Sequence, residues 1–255
     1  MSRRVLITGA SSGLGRALAV HLAGPGAQLA ITGRDADRLS AVAAECSALG
    51  ASVVTKLVDV RNRAEMADWI AKVDRDQPFD LVIANAGVMS GTSPLGAMEP
   101  SDAAYALIET NVLGVFNTVQ PVLRAMAERK RGQIAIVSSL AAFIPLPDSP
   151  SYCASKSAIL SYGLALRTLM HPHGVKVSVI CPGYVSTPMS ARENAKKPQQ
   201  MSAEKAAAII TKGLERNSPV IAFPRALTAL TRLHGMLPDT VRRWLMRWAR
   251  FTVSG

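Results

Sequence analysis

The chain has 255 residues, 49% of them hydrophobic, with a formal net charge of +11 and a mean hydropathy of +0.19. That length suits one α/β domain with an ample core, and that composition excludes a disordered chain. Three cysteines (Cys46, Cys153, Cys181), an odd number without C-x-x-C spacing, exclude a disulfide framework and a structural zinc site, predict no metal and fit a reducing cytoplasm.

The excess of base admits a nucleic acid, an anionic membrane or a phosphorylated cofactor as partner. No zinc-finger, RRM or helix-turn-helix pattern occurs, and the basic residues are dispersed except near the C-terminus, so nucleic acid is not the expected partner. The N-terminal apolar run is too short for a secretory signal. The uncharged stretch from Leu81 to Met98 is broken by Gly87, Gly91, Pro94 and Gly96, so it reads as strand and loop, not as a membrane span.

Arg3–Thr8 reads as a strand that runs into Gly9, Ala10, Ser11, Ser12, Gly13, Leu14 and Gly15, and helical spacing resumes from Arg16 to Leu22. A strand, a glycine turn and a helix N-terminus make an anion site, because free backbone N–H groups and the helix dipole face a phosphate. The spacing is G-x-x-x-G-x-G, distinct from the commoner dinucleotide fingerprint G-x-G-x-x-G. Gln28–Thr32 is the second strand. A carboxylate at its tip would hold an adenosine ribose and repel a 2′-phosphate, but the tip is Gly33 followed by Arg34, whose guanidinium suits that phosphate. The expected cofactor is therefore NADP(H) over NAD(H). Asp35 and Asp37 fall at the start of a helix that runs to Leu49.

Ser52–Val58 is the third strand and ends at Asp59 and Val60, where a carboxylate is set to accept from an adenine amino group. A helix over Arg61–Asp74 leads through Pro78 to a fourth strand, Leu81–Ala84, and then to Asn85, Ala86 and Gly87. Gly87 permits close approach of the backbone to a cofactor, and Asn85 can bond neighbouring strand ends. Ser101 is expected to cap one long helix from Asp102 to about Arg129, with Asn111 buried at its middle and Pro121 kinking it. Gln133–Ser138 is the fifth strand, and Ser139 stands at its carboxyl end.

Tyr152 and Lys156 are four apart on a helix that runs to about Met170, so they share one face. An ammonium beside a phenol favours phenolate, and moving a tyrosine from about 10 to near 7 takes roughly 4 kcal/mol. Such a tyrosine exchanges protons with an alcohol or carbonyl oxygen at neutral pH. Cys153, next to it, lacks the His/Asp company of a nucleophile. His171, Pro172, His173 and Gly174 form a turn before a sixth strand, Val175–Cys181, which leads into Pro182, Gly183, Tyr184, Val185, Ser186 and Thr187. The polar stretch from Ser190 to Gln200 lacks apolar periodicity and is expected to be a mobile substrate loop. Ser202 caps a helix to Glu215, and Val220–Phe223 is the last strand. The alternation predicts an α/β, Rossmann-like, doubly wound parallel sheet of about seven strands with helices on both faces and the site beyond the strands' carboxyl ends.

The motifs TGASSGLG, Asn85-Ala86-Gly87, Asn111, Ser139, Tyr152-x-x-x-Lys156 and PGYVST stand in the order and spacing of the short-chain dehydrogenase/reductase family, which the chain resembles from Arg3 to Phe223. The resemblance implies that Tyr152 is the acid/base, that Ser139 bonds the substrate oxygen, and that Lys156 holds the nicotinamide ribose and depresses the tyrosine pKa. It implies that Asn111 anchors a water in a relay to Lys156. Val185 and Thr187 would fix the nicotinamide amide beside Pro182 and Gly183. It also implies a homodimer or homotetramer packed through the 102–129 and 152–170 helices. The expected reaction is NADP(H)-dependent interconversion of a carbonyl and a secondary alcohol. Leu140, Phe143, Ile144 and Leu146 favour a hydrophobic small molecule, or a lipid- or sugar-linked one. The alternative is a catalytically silent NADP-binding scaffold or sensor, which the intact set of Ser139, Tyr152, Lys156 and Asn111 disfavours.

The expected domain spans 1–223, with the substrate loop at 186–202, and a basic amphipathic helical extension spans 224–255. That extension sets Arg225, Arg232, Arg242, Arg243, Arg247 and Arg250 against one acid, Asp239. Leu227, Leu230, Leu233 and Leu237 recur at helical spacing, as do Val241, Leu245 and Trp248. Two helices separated near Pro238 are expected, with Trp244 and Trp248 on one face of the second. Three roles stay open: docking on the body or a partner subunit, peripheral contact with an anionic membrane, and shaping of a greasy substrate pocket.

Overall fold

Alternating apolar residues build the centre of the molecule. Along β1 (Arg4–Ile7), Val5 and Ile7 join the core on one side of the sheet and Leu6 joins the core on the other, as the two-residue period of a strand requires. The computed structural model describes residues 3–92, 98–194, 197–235, 237–246 and 252–253. The elements that follow β1 are α1 (Gly13–Leu22), β2 (Gln28–Gly33), α2 (Ala36–Ala48), β3 (Ser52–Leu57), α3 (Arg63–Asp76) and β4 (Leu81–Ala84). Next come α4 (Ser101–Ile108), a π turn (Glu109–Leu113), α5 (Gly114–Glu128), β5 (Gly132–Val137), α6 (Pro150–Met170) and β6 (Val175–Pro182). Short elements β7 (Val185–Ser186), α7 (Pro188–Ala191), β8 (Glu193–Asn194) and β9 (Met201–Ser202) precede α8 (Ala203–Glu215), β10 (Val220–Phe223), α9 (Arg225–Gly235), α10 (Asp239–Met246) and β11 (Thr252–Val253).

The main sheet is parallel throughout, in the order β10-β6-β5-β4-β1-β2-β3. Helices α1, α2 and α8 cover one face, and α3, α5 and α6 cover the other. This is the doubly wound, Rossmann-like fold that the alternation predicts. Strand order reverses between β1 and β4, and a cleft opens there beyond the carboxyl ends.

Several expectations change in detail. The helix expected from Asp102 to Arg129 is interrupted at Glu109–Leu113 by a π turn centred on Asn111. Pro100, not Ser101, stands at its N-cap, without a side-chain bond. The third helix begins two residues later than expected because Asn62 caps it, accepting from the Glu65 N–H at 3.2 Å. Helix α6 begins two residues earlier, with Pro150 in its first turn, where a missing N–H costs nothing. Within the stretch expected to be a mobile substrate loop, β8 runs antiparallel to β11, and just beyond it β9 runs parallel to β7. Ser202 caps α8 as expected, accepting from the Lys205 N–H at 3.2 Å.

The extension forms the two helices expected, divided at Pro238, whose carbonyl accepts from the Val241 and Arg242 N–H groups at 3.0 Å. Trp244 is 60% exposed. Arg247, Trp248 and Arg250, along with Pro94, Gly96 and two residues of the 190–200 stretch, lie outside the described residues.

Candidate active site

The cleft at the strand reversal encloses about 940 Å³ and is continuous from the β1–α1 turn to α9 and α10. Its phosphate end is shaped by backbone. Gly9 has φ +66°, and a Cβ on it would meet the Ala86 Cα at 2.7 Å; a Cβ on Gly15 would lie 2.1 Å from the Gly9 carbonyl oxygen. Ser12 is the N-cap of α1 but makes no side-chain cap bond, so the first N–H groups of that helix are not taken by their own cap. Asn85 ties β4 to β1 by donating to the Thr8 and Gly9 carbonyls at 3.0 and 3.2 Å, as expected of it.

Ser11, Gly13, Leu14, Arg34, Asp59, Val60, Ala86, Gly87, Pro182, Gly183, Val185 and Thr187 all line this cleft beside Tyr152 and Lys156. Some carry further duties. Asp59 is bonded by Arg61 at 2.8 Å and lies 3.7 Å from Arg34, and these cations hold its carboxyl below the usual range. Thr187 caps α7 in a reciprocal box with Ser190, which engages both its hydroxyl and its N–H. Gly87 leaves room for protein as well as ligand: a Cβ there would come 3.2 Å from the Asn111 Oδ1 and 3.5 Å from the Lys156 Nζ.

At the far end of β5 the two serines divide their work. Ser138 is buried and donates to the Lys156 carbonyl at 2.8 Å, fastening α6 to the sheet. Ser139 accepts from the Ala141 N–H at 3.1 Å, and its hydroxyl acts to lower the pKa of the Tyr152 phenol. Lys156 is buried and donates to the Val137 carbonyl at 3.1 Å. Asn111 is fully buried behind the wall of the cleft. Its Oδ1 accepts from the Val88 N–H at 2.8 Å, and its Nδ2 donates to the Val88 carbonyl at 2.9 Å and to the Ser155 hydroxyl at 3.2 Å. The amide side chain thus ties the π turn to the segment after β4 and to α6.

The electrostatics reverse one expectation. Loss of water around the phenol pushes Tyr152 up to about 12, against a smaller lowering by the Ser139 hydrogen bond, and burial brings Lys156 down to about 8. Desolvation outweighs the helix-face pairing of the two groups, so the protein groups alone keep the tyrosine a neutral phenol. Burial also raises the Cys153 thiol, whose sulfur accepts from the Leu146 N–H at 3.4 Å, an environment unsuited to a nucleophile.

A family model for short chain dehydrogenases matches residues 3–198. The chain belongs to the short-chain dehydrogenase family. An uncharacterized oxidoreductase of Myxococcus xanthus (strain DK1622) is 37% identical over 238 residues, covering 93% of each chain. The NADP-dependent 3-hydroxy acid dehydrogenase YdfG of Salmonella typhi is 35% identical over 182 residues, 71% of this chain and 72% of that one. A short-chain dehydrogenase from Sphingobium yanoikuyae, solved in complex with NADPH, superposes with a TM-score of 0.80 at 25% identity, covering 97% of this chain and 96% of the other.

This short-chain dehydrogenase is therefore an NAD(P)-dependent oxidoreductase acting on a small carbonyl or alcohol substrate. The glycine turn and the α1 N-terminus fit a dinucleotide, which when bound supplies or takes up the hydride. Sequence reasoning missed Arg38, Tyr184, Glu193, Thr231 and His234, all of which line the cleft. One signal for the last two was present: Leu227, Thr231 and His234 fall three to four residues apart. No described helix is long and apolar enough to cross a membrane.

Proposed function

We propose that this short-chain dehydrogenase interconverts an apolar ketone or aldehyde and its alcohol, using NADP(H) in preference to NAD(H), with Tyr152 exchanging the proton. The observation that carries this reading is that Ser139 and Tyr152 line one cleft, where its glycine-lined end meets a wall containing Leu140, Ile144, Leu146 and Leu227.

Each group has a task that follows from its surroundings. Ser139 accepts from a backbone N–H, and its own proton, which favours phenolate when turned toward Tyr152, can turn instead to a substrate oxygen. Tyr152, held neutral, gives a proton to a carbonyl oxygen during reduction and must take one from an alcohol during oxidation. The buried Lys156 ammonium, steered by the Val137 carbonyl, sets positive charge near the phenolate as it forms and lies within reach of a ribose hydroxyl in the cleft.

NADP(H) is favoured by the charges at the β2 tip. Arg34 and Arg38 both line the cleft. The Asp35 carboxylate is occupied as the N-cap of α2, accepting from the Arg38 N–H at 2.9 Å and Nε at 2.8 Å. Asp35 lines the cleft as well, but its pairing with Arg38 offsets its charge toward a 2′-phosphate.

The reading includes a homo-oligomer packed through α4, the π turn, α5 and α6, whose residues Tyr105, Leu113 and Leu169 are exposed in the single chain. The extension from residue 224 serves as a pocket wall and, through exposed Leu230, Leu233 and Trp244, as a contact to a partner subunit in preference to a membrane. A spectrophotometric screen of alicyclic, aryl and sugar carbonyls with NADPH and NADH tests the reading. Turnover confined to sugars overturns the substrate class, and equal efficiency with the two cofactors overturns the preference.

A further inference from the structure

Helix α9 buries two polar side chains at the cleft, while Leu230 and Leu233, which line the same cleft, stay largely exposed. Thr231 and His234 are 6% and 5% exposed, whereas Leu230 and Leu233 are 63% and 58% exposed. Both polar residues line the same cleft as Ser139 and Tyr152. Thr231 donates to the Thr228 carbonyl at 3.1 Å and keeps its acceptor capacity. Neither ring nitrogen of His234 has a hydrogen-bond partner among the described residues. A buried polar group left idle is destabilising, so its presence at a pocket wall calls for a ligand that completes it.

The position of this wall is set by contacts with the segment that carries the reacting residues. The Arg232 guanidinium lies 5.0 Å from the centre of the Phe143 ring, and Gly235 backs onto the Phe143 carbonyl, where an added Cβ would come within 3.3 Å. Leu227 closes on Gly183, where an added Cβ would stand 3.1 Å from its Cδ2. His234 is therefore held on a helix packed against the turn that follows Ser139, with apolar side chains forming much of the adjoining wall.

We propose that His234 is a second recognition point for the substrate, hydrogen-bonding a neutral oxygen, hydroxyl or keto, at the end of an apolar body remote from the reacting carbonyl. This rests on the reading that the cleft turns over a carbonyl and its alcohol. A neutral imidazole offers one donor and one acceptor, which suits an oxygen of either kind. A carboxylate is the poorer fit, because Glu193 lines the same cleft and its charge is felt at both Tyr152 and Tyr184. The substrate class is then a hydroxyketone or diketone with an apolar middle.

The test compares matched probes with NADPH: raspberry ketone against benzylacetone, and para-hydroxyphenylcyclohexanone against phenylcyclohexanone, with the para-carboxyphenyl analogue as a third arm. In the unmodified protein the hydroxylated member of at least one pair is expected to have a kcat/KM about tenfold higher, the worth of one hydrogen bond. In His234→Phe that ratio falls to about one, and in His234→Gln part of it returns. His234→Phe should keep or raise the Tm, since it removes an unpaired buried polar group, whereas a purely structural histidine would leave the ratio in place. The proposal is overturned if the ratio survives in His234→Phe, if it is about one for both pairs in the unmodified protein, or if the carboxylate outranks the hydroxyl. Should no probe be turned over, the carbonyl-reductase reading fails. Calorimetric Kd ratios for the same pairs then decide the subsite, and equal Kd values overturn it.

Discussion

The Lys156 ammonium lies 5.6 Å from the centre of the Tyr152 ring, and its hydrogen bond runs to the Val137 carbonyl. The two side chains share a helix face, yet each is shifted toward its neutral form, Tyr152 up to about 12 and Lys156 down to about 8. At this spacing the loss of water outweighs their mutual influence.

Replacing Tyr152 by Phe should lower kcat by about two to four orders of magnitude, the usual worth of a positioned acid/base, while NADPH affinity stays within about threefold. Steady-state kinetics and fluorescence titration check both halves. Because the phenol is neutral at ordinary pH, oxidation of the alcohol should accelerate as pH rises, while reduction, which needs the proton, should gain nothing from alkali. Oxidation that is independent of pH between neutrality and strong alkali would contradict the assignment.

Lys156 carries a stability cost with a defined pH window. Its pKa falls from the ordinary lysine value of 10.5 to about 8, so between those values the unfolded chain binds more protons and stability rises with pH. Below about 8 the whole penalty of the buried cation is present. Lys156→Met should therefore stabilise the protein at neutral pH by up to about 3 kcal/mol, less about 1 kcal/mol for the orphaned Val137 carbonyl, while turnover is lost. Urea unfolding should show this gain shrinking as pH approaches 10.5. A destabilised variant at neutral pH would mean that the lysine is worth more to the fold than burial costs it.

Arg34→Ala should weaken NADPH about ten- to a hundredfold and NADH little, because a guanidinium–phosphate bond is charge-assisted. The Arg34 side chain is 61% exposed, so the advantage of NADPH should also shrink with salt. Titrations with both cofactors at two ionic strengths decide it. A variant that loses NADH as strongly as NADPH would assign Arg34 to general cofactor binding.

Charge placed on the outer faces of α5 and α6 should dissociate the oligomer. Leu169 is 66% exposed in the single chain, and Phe116 on α5 stacks on Tyr162 of α6 with ring centres 4.3 Å apart, making one continuous surface. Leu169→Asp is expected to lower the particle mass in light scattering without changing the far-ultraviolet circular dichroism. A particle whose mass is unaffected places the subunit contact elsewhere, with the exposed Leu233 and Trp244 of the extension next in line.

Much of this molecule was legible in the amino-acid order because it rests on local constraints. The apolar runs Arg4–Ile7, Leu81–Ala84 and Val220–Phe223 had room for little but buried strands, and the glycines at 9, 13 and 15 announced backbone that no side chain would tolerate. The four-residue spacing of Tyr152 and Lys156 put them on one helix face whatever surrounds that helix. What only the tertiary structure decided depends on chain that is far away in sequence. The sign of the Tyr152 shift follows from how much water the cleft walls exclude, and the commitment of Asn111 to Val88 and Ser155 follows from three segments meeting. The stretch around Glu193 is ordered by pairing with Thr252–Val253, about sixty residues on. The leucine spacing of the extension predicted a helix but not its rotation. Contacts with Phe143 and Gly183 set that rotation, and so of two residues that line the cleft His234 is buried and Leu233 stays largely exposed.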